Sequence, residues 1–156
     1  MFRGVRQTPR APAARVTGDM CGPKGIVMTG QSDFDFLHRD WKVHHRKLTT
    51  RLAGADDWVE FHGTSTTRPI MGGYGNVEDN FLEDPGGAYR ATAIRAFEAS
   101  SGLRRIWWLD LRAPADLGPP VVGRFAQGLG EFFADDVWRG APIKVRFLWQ
   151  TKAGPG

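Results

Sequence analysis

The segment Ile106-Trp107-Trp108-Leu109-Asp110-Leu111-Arg112 sets an acid and a base two residues apart among indoles. In an extended chain successive side chains point to opposite faces, so Ile106, Trp108, Asp110 and Arg112 share one face and Trp107, Leu109 and Leu111 the other. The second face reads as core. The first mixes apolar and ionisable groups, as the wall of a ligand pocket does. The same alternation groups Tyr89, Ala91, Ala93, Arg95 and Phe97, with two alanines leaving space beside Arg95. If both faces point inward, Tyr89, Arg95, Trp108, Asp110 and Arg112 line one cavity. The plainer alternative is an Asp–Arg ion pair at the surface or rim, a common feature worth little.

Glu60, His62 and Thr64 alternate on one face with Trp58, and a carboxylate beside an imidazole is acid–base chemistry near neutral pH. Two-residue spacing separates such groups by about 7 Å, too far for a direct hydrogen bond without side-chain reach. His62 is therefore carried as a sixth ligand-binding candidate, and no catalytic residue is assigned. His44 and His45 are neighbours whose side chains diverge, and with His38 as the only other imidazole nearby and Cys21 the single cysteine, neither a metal site nor a cofactor is expected. Gly72-Gly-Tyr-Gly-Asn is glycine-rich like a phosphate-cradling loop, but no strand-then-helix unit or Lys-Ser/Thr follows, and Glu78 and Asp79 would repel phosphate. It reads as a connection between strands.

The elements that would position these groups are strands. From Trp41 the chain runs in aromatic and β-branched stretches of about eight to twelve residues, each ended by turn residues. They span approximately Trp41 to Leu52, Trp58 to Pro69, Ala88 to Glu98, Leu103 to Arg112, Pro120 to Ala126 and Gly130 to Gln150. The last bends back near Trp138 to Pro142, making a seventh strand from Ile143. The breaks, such as Asp84-Pro-Gly-Gly and Ser100-Ser-Gly, are too short for crossover helices, so neighbours should pair as antiparallel hairpins in a meander. Ahead of it, Ser32-Asp-Phe-Asp has the form of a capping box, and Phe34, Leu37 and Trp41 fall at helical spacing. A short N-terminal helix covering the open end of the sheet is expected.

Several motifs, taken in order, carry a family likeness. The likeness rests on Asp33-Phe-Asp-Phe-Leu, Asp40-Trp-Lys-Val, Trp58-Val-Glu-Phe-His-Gly-Thr-Ser and Arg68-Pro-Ile-Met-Gly-Gly-Tyr-Gly-Asn-Val. It continues through Ile106-Trp-Trp-Leu-Asp-Leu-Arg, Pro119-Pro-Val-Val-Gly-Arg-Phe and Pro142-Ile-Lys-Val-Arg-Phe-Leu-Trp. These motifs in this order resemble a mostly bacterial family of lipocalin-like (calycin-type) domains of unknown function, which implies an all-β fold, an antiparallel meander forming a lipocalin-like up-and-down barrel, and no settled activity. Members of that family continue past the last Trp through about two more strands, whereas this sequence reads Gln150-Thr-Lys-Ala-Gly-Pro-Gly, so the barrel is expected to be incomplete. An uncovered apolar edge invites edge-to-edge pairing with a second copy.

The net charge of +4 does not belong to this domain. Residues 1–28 carry Arg3, Arg6, Arg10, Arg15 and Lys24 against Asp19 alone, leaving sixteen basic and sixteen acidic groups to the rest. A neutral domain offers no electrostatic footprint for nucleic acid. Residues 1–31, rich in Arg, Pro, Ala and Gly, read as a disordered basic leader, 32–150 as the β domain and 151–156 as a disordered tail. No apolar run suggests a membrane span or a secretory signal, so a cytoplasmic protein is expected. By analogy of fold, the expected function is binding of a small apolar or amphipathic ligand. The alternatives are a small enzyme moving a proton at Asp110 with Arg95 or Arg112, helped by His62, and a truncated domain without independent activity.

Overall fold

The structure, a computed structural model, describes residues 30–150. The leader up to residue 29 and the tail 151–156 lie outside the described residues. Gly30 and Gln31, assigned above to the leader, are ordered: they open a single 3-10 turn, Gly30–Ser32, and their carbonyls accept hydrogen bonds from Arg104.

Eight strands follow in one sheet: β1 (Asp40–Leu48), β2 (Trp58–Ile70), β3 (Gly75–Leu82), β4 (Tyr89–Glu98), β5 (Leu103–Asp110), β6 (Val121–Ala126), β7 (Leu129–Trp138) and β8 (Ala141–Gln150). Their spatial order is their chain order and every neighbouring pair is antiparallel, so the protein is all-β, a meander curled into a half-barrel with β1 and β8 as its edges. The tightest links are chemically legible. Gln127-Gly128 and Arg139-Gly140 each join two strands with both residues at positive φ (51° and 79°, 49° and 83°), the twist that two-residue hairpins require and that glycine makes accessible.

β3 is a strand where a glycine-rich connection was expected. Three of its inward residues are polar, Asn76, Glu78 and Asn80, and its apolar Val77 and Phe81 point outward, so the usual alternation is inverted until Leu82, which is inward and buried. Met71–Gly73 supplies the turn before it, with Gly72 at φ 62°. The face assignment of β5 also needs correction. Trp107, Leu109 and Leu111, read above as core, stand on the outside of the curl; the first two are half-buried and Leu111 is exposed. The buried face of β5 is Arg104 and Ile106, continued by Trp108 and Asp110.

Curling brings distant strands together. Trp41 of β1, Ile106 of β5, Val121 of β6, Phe132 of β7 and Val145 of β8 form one core cluster with Phe34 and Leu37. The expected N-terminal helix is two separate 3-10 turns, the second being Asp35–Leu37, and Trp41 already belongs to β1. The apolar stripe nevertheless does its work. The Trp41 indole donates to Leu37 O at 3.0 Å, and the Phe34 ring meets Phe125 and Trp149 edge-on at 5.1 and 5.2 Å. Phe34 is thus a plug, with no exposed surface, at the end of the half-barrel where β8 finishes. Replacing Phe34 by Ala should cost about 3–5 kcal/mol, the range for a fully buried phenylalanine. Urea unfolding of the two proteins checks this, and a loss below about 1 kcal/mol would mean that the plug does not hold the half-barrel.

Candidate functional site

Register decides which side chains meet. On the concave side Ser65 and Thr67 of β2 lie opposite Asn80 and Glu78 of β3, which lie opposite Ala91 and Ala93 of β4, which lie opposite Asp110 and Trp108 of β5. The neighbouring row runs from Asn76 through Arg95 to Ile106. Tyr89, Arg95, Trp108 and Asp110 therefore share the inner face. They do not share one site.

Arg95, with 1% of its surface exposed, belongs to a polar wall. Its guanidinium bonds Asn76 Oδ1 at 3.0 Å and pairs with the Glu78 carboxylate. It also lies over two rings, Phe34 at 5.0 Å and Trp149 at 5.1 Å. Burying a charge is tolerated only when it is paired and hydrogen-bonded, and β3 supplies both partners. A second inward arginine, Arg104, stands beside it, bonded to Gly30 O and 3.9 Å from the Asp33 carboxylate, with its charge over Phe34 and Phe97. The sequence does not mark Asn76, Glu78 or Arg104 as residues of an inner wall. The only signal was the period-two polar run Asn76, Glu78, Asn80, concealed by the glycines before it.

Trp108 and Asp110 instead line a cleft of about 110 Å³ on the other half of the curl. Ile106, Val121, Val145 and Phe147 form its apolar floor, and Asp110, Asp116, Asp135 and Asp136 are its ionisable groups. The β5–β6 connection folds over it from the turn that Ala113 N closes on Asp110 O at 2.9 Å. A wider hollow of about 290 Å³ lies beside Leu129 and Phe133 on the outer face of β6 and β7. It is walled by exposed side chains and offers no enclosed surface.

Arg112 lies just beyond β5 at the mouth of the half-barrel. It grips Asp110 through Nε at 2.9 Å and Nη2 at 2.6 Å, and its guanidinium covers the Tyr89 ring at 3.5 Å. Across the mouth, Lys47 of β1 pairs with Asp84, which also accepts Gly86 N at 2.9 Å. His62 is elsewhere. The buried residues of β2 are Phe61, Gly63, Ser65 and Thr67, so His62, Glu60 and Thr64 face outward, away from the cleft. Of the six candidates the structure joins Trp108 with Asp110 in the cleft and Asp110, Arg112 and Tyr89 at its mouth; Arg95 and His62 stand apart.

A scan against protein-family models and a search of the curated proteins find no match to this chain.

The electrostatics of the mouth follow from these contacts. Burial by itself would raise the Asp84 carboxyl, but hydrogen bonds from Lys47 and the Gly86 amide outweigh it and hold the group below its ordinary 3.8. Asp110 is held down in the same way, its burial outweighed by the Arg112 side chain and amide. Asp33 moves oppositely: burial raises it despite Arg104. A carboxyl depressed by folding stabilises the fold above its unfolded value and ceases to do so as pH falls through its folded value; a raised one does the reverse. Stability should therefore fall with pH below 3.8 through Asp84 and Asp110, with Asp33 opposing. Denaturant midpoints measured from about pH 5 down to about pH 2 in wild type and Asp110→Asn should show a shallower loss in the variant. Equal slopes would contradict the Asp110–Arg112 assignment.

Proposed function

We propose that the protein binds a small amphipathic molecule in the cleft between β5 and β8. The observation that carries this reading is that Trp108 and Asp110 line a single apolar-floored cleft whose only ionisable groups are carboxylates. An apolar body would lie against Trp108 and Phe147, and a hydrogen-bond-donating end, a hydroxyl or an amine, would reach the carboxylates. At about 110 Å³ the cleft is smaller than the ~300–1,000 Å³ of drug-sized sites, which suits a small molecule or one end of a longer chain. An aromatic-lined antiparallel meander also agrees with the lipocalin-like resemblance of the sequence.

Proton transfer is the weaker reading. Asp110 is held in its ionised form by a two-pronged Arg112, which makes it a poor proton acceptor at neutral pH, and His62 lies on the other face.

The test uses short-chain alkyl alcohols and amines as probes, read by tryptophan fluorescence, with native mass spectrometry of the protein as purified. Trp108→Ala should weaken probe binding by about tenfold, a loss of 1.4 kcal/mol, and Trp138→Ala, at the β7–β8 turn, should not. Equal affinity in wild type and Trp108→Ala would refute the cleft as the site.

A further inference from the structure

His44 and His62 lie directly opposite one another in the β1–β2 register, on the outside of the curl. Their sequence neighbours point the other way: His45 is inward, stacked on Phe61 at 4.8 Å. Adjacency in sequence thus separates His44 from His45, while register joins His44 to a residue eighteen positions away. The two ring centres are 5.3 Å apart and the rings are tilted by 37°. The Glu60 carboxylate holds His44 Nε2 at 3.1 Å and is shared with Arg46 Nε at 3.5 Å. His44, Glu60 and Arg46 are about half exposed and His62 is exposed, so a cation reaches them from solvent.

We propose that His44 and His62 form a chelating site for a divalent first-row transition metal. The spacing has a specific meaning. A metal ~2.1 Å from an imidazole nitrogen stands ~3.2 Å from the ring centre, so two imidazoles at a tetrahedral angle have centres ~5.2 Å apart. The observed 5.3 Å matches that separation, and the β1–β2 ladder holds the two backbone positions opposite one another before any metal arrives. Two neutral imidazoles favour zinc, copper or nickel over calcium or magnesium, which take oxygen ligands. Glu60 orients the His44 ring as carboxylates commonly orient metal-bound histidines, and its charge offsets that of the cation. Among the described residues no three histidine, cysteine or carboxylate side chains converge on one point, so water completes the coordination and the metal exchanges readily. The bridge ties the edge strand β1 to β2, and metal binding should therefore stabilise the fold.

The experiment titrates zinc and copper(II) into the full chain carrying Cys21→Ser, which removes the only thiol. One metal per chain should bind, and the melting temperature should rise by roughly 5–10 °C at a hundredfold excess over the dissociation constant. His44→Ala and His62→Ala should each weaken binding at least tenfold, and the double variant should be no weaker than either single one, because half a chelate is no chelate. Copper(II) paramagnetic resonance should count two imidazole nitrogens in the parent and one or none in the variants. Both positions are exposed, and equal metal-free melting of all four proteins establishes that folding is intact. Additive losses in the two variants would mean two independent imidazoles, and unchanged binding would mean a different site. Either result overturns the proposal.

Discussion

The half-barrel is organised around a positive charge placed where a β-sheet protein ordinarily keeps hydrocarbon. Arg95 is buried on the inner face of β4 and must be neutralised there, since an unpaired guanidinium in such a place would cost several kcal/mol. Glu78 and Asn76 on β3 neutralise and orient it, and Phe34 and Trp149 close over it from opposite ends of the sequence. One side chain therefore joins four segments: the N-terminal turn, β3, β4 and β8. Arg104 repeats the arrangement on β5 with Gly30, Asp33 and the same Phe34 ring. An open sheet whose edge strands do not pair with each other is held in its curl by these contacts across the concavity, in place of the hydrogen-bond ladder that would close a full barrel.

That solution divides the interior. The β2–β4 side carries Ser65, Thr67, Asn76, Glu78 and Asn80 beside a smaller apolar cluster of Phe61, Leu82 and Ala91, with Thr67 Oγ1 and Arg95 Nε lacking a hydrogen-bond partner among the described residues. The β5–β8 side is apolar and leaves the cleft beside Trp108. The ion pairs Lys47–Asp84 and Arg112–Asp110 brace the mouth between them. The Arg95 wall and the cleft proposed above as a binding site thus lie on different parts of one sheet, joined through Ile106, which is the register partner of Arg95 and part of the cleft floor.

The meander was legible because its turns are chemically explicit and its later strands alternate in the ordinary sense. β3 was not, because Val77 and Phe81 face outward while Asn76, Glu78 and Asn80 face inward and only Leu82, at its end, is apolar on the inner side, largely the reverse of what hydrophobic periodicity looks for. Missing that strand also hid the role of Arg95. Its parity puts it on the face of Trp108, but its partners stand on β3, whose sequence has the pattern of a loop. Parity also groups residues without saying which group is inside. For β2 the buried set is Phe61, Gly63, Ser65 and Thr67, which the sequence passed over in favour of Glu60 and His62, and for β5 the apolar Trp107 and Leu109 proved to be outside. The His44–His62 pairing needed a register, which no single strand contains.

The most direct test of this account is a double-mutant cycle on Arg95 and Glu78, using Arg95→Met, Glu78→Met and the combination, with stability measured by urea unfolding at neutral pH. Each single variant strands a buried charge and should lose about 3–5 kcal/mol. The double variant strands none and should lose much less than the sum, giving a coupling of about 2 kcal/mol or more. Single losses under about 1 kcal/mol with a coupling near zero would mean that the pair is not what holds the curl.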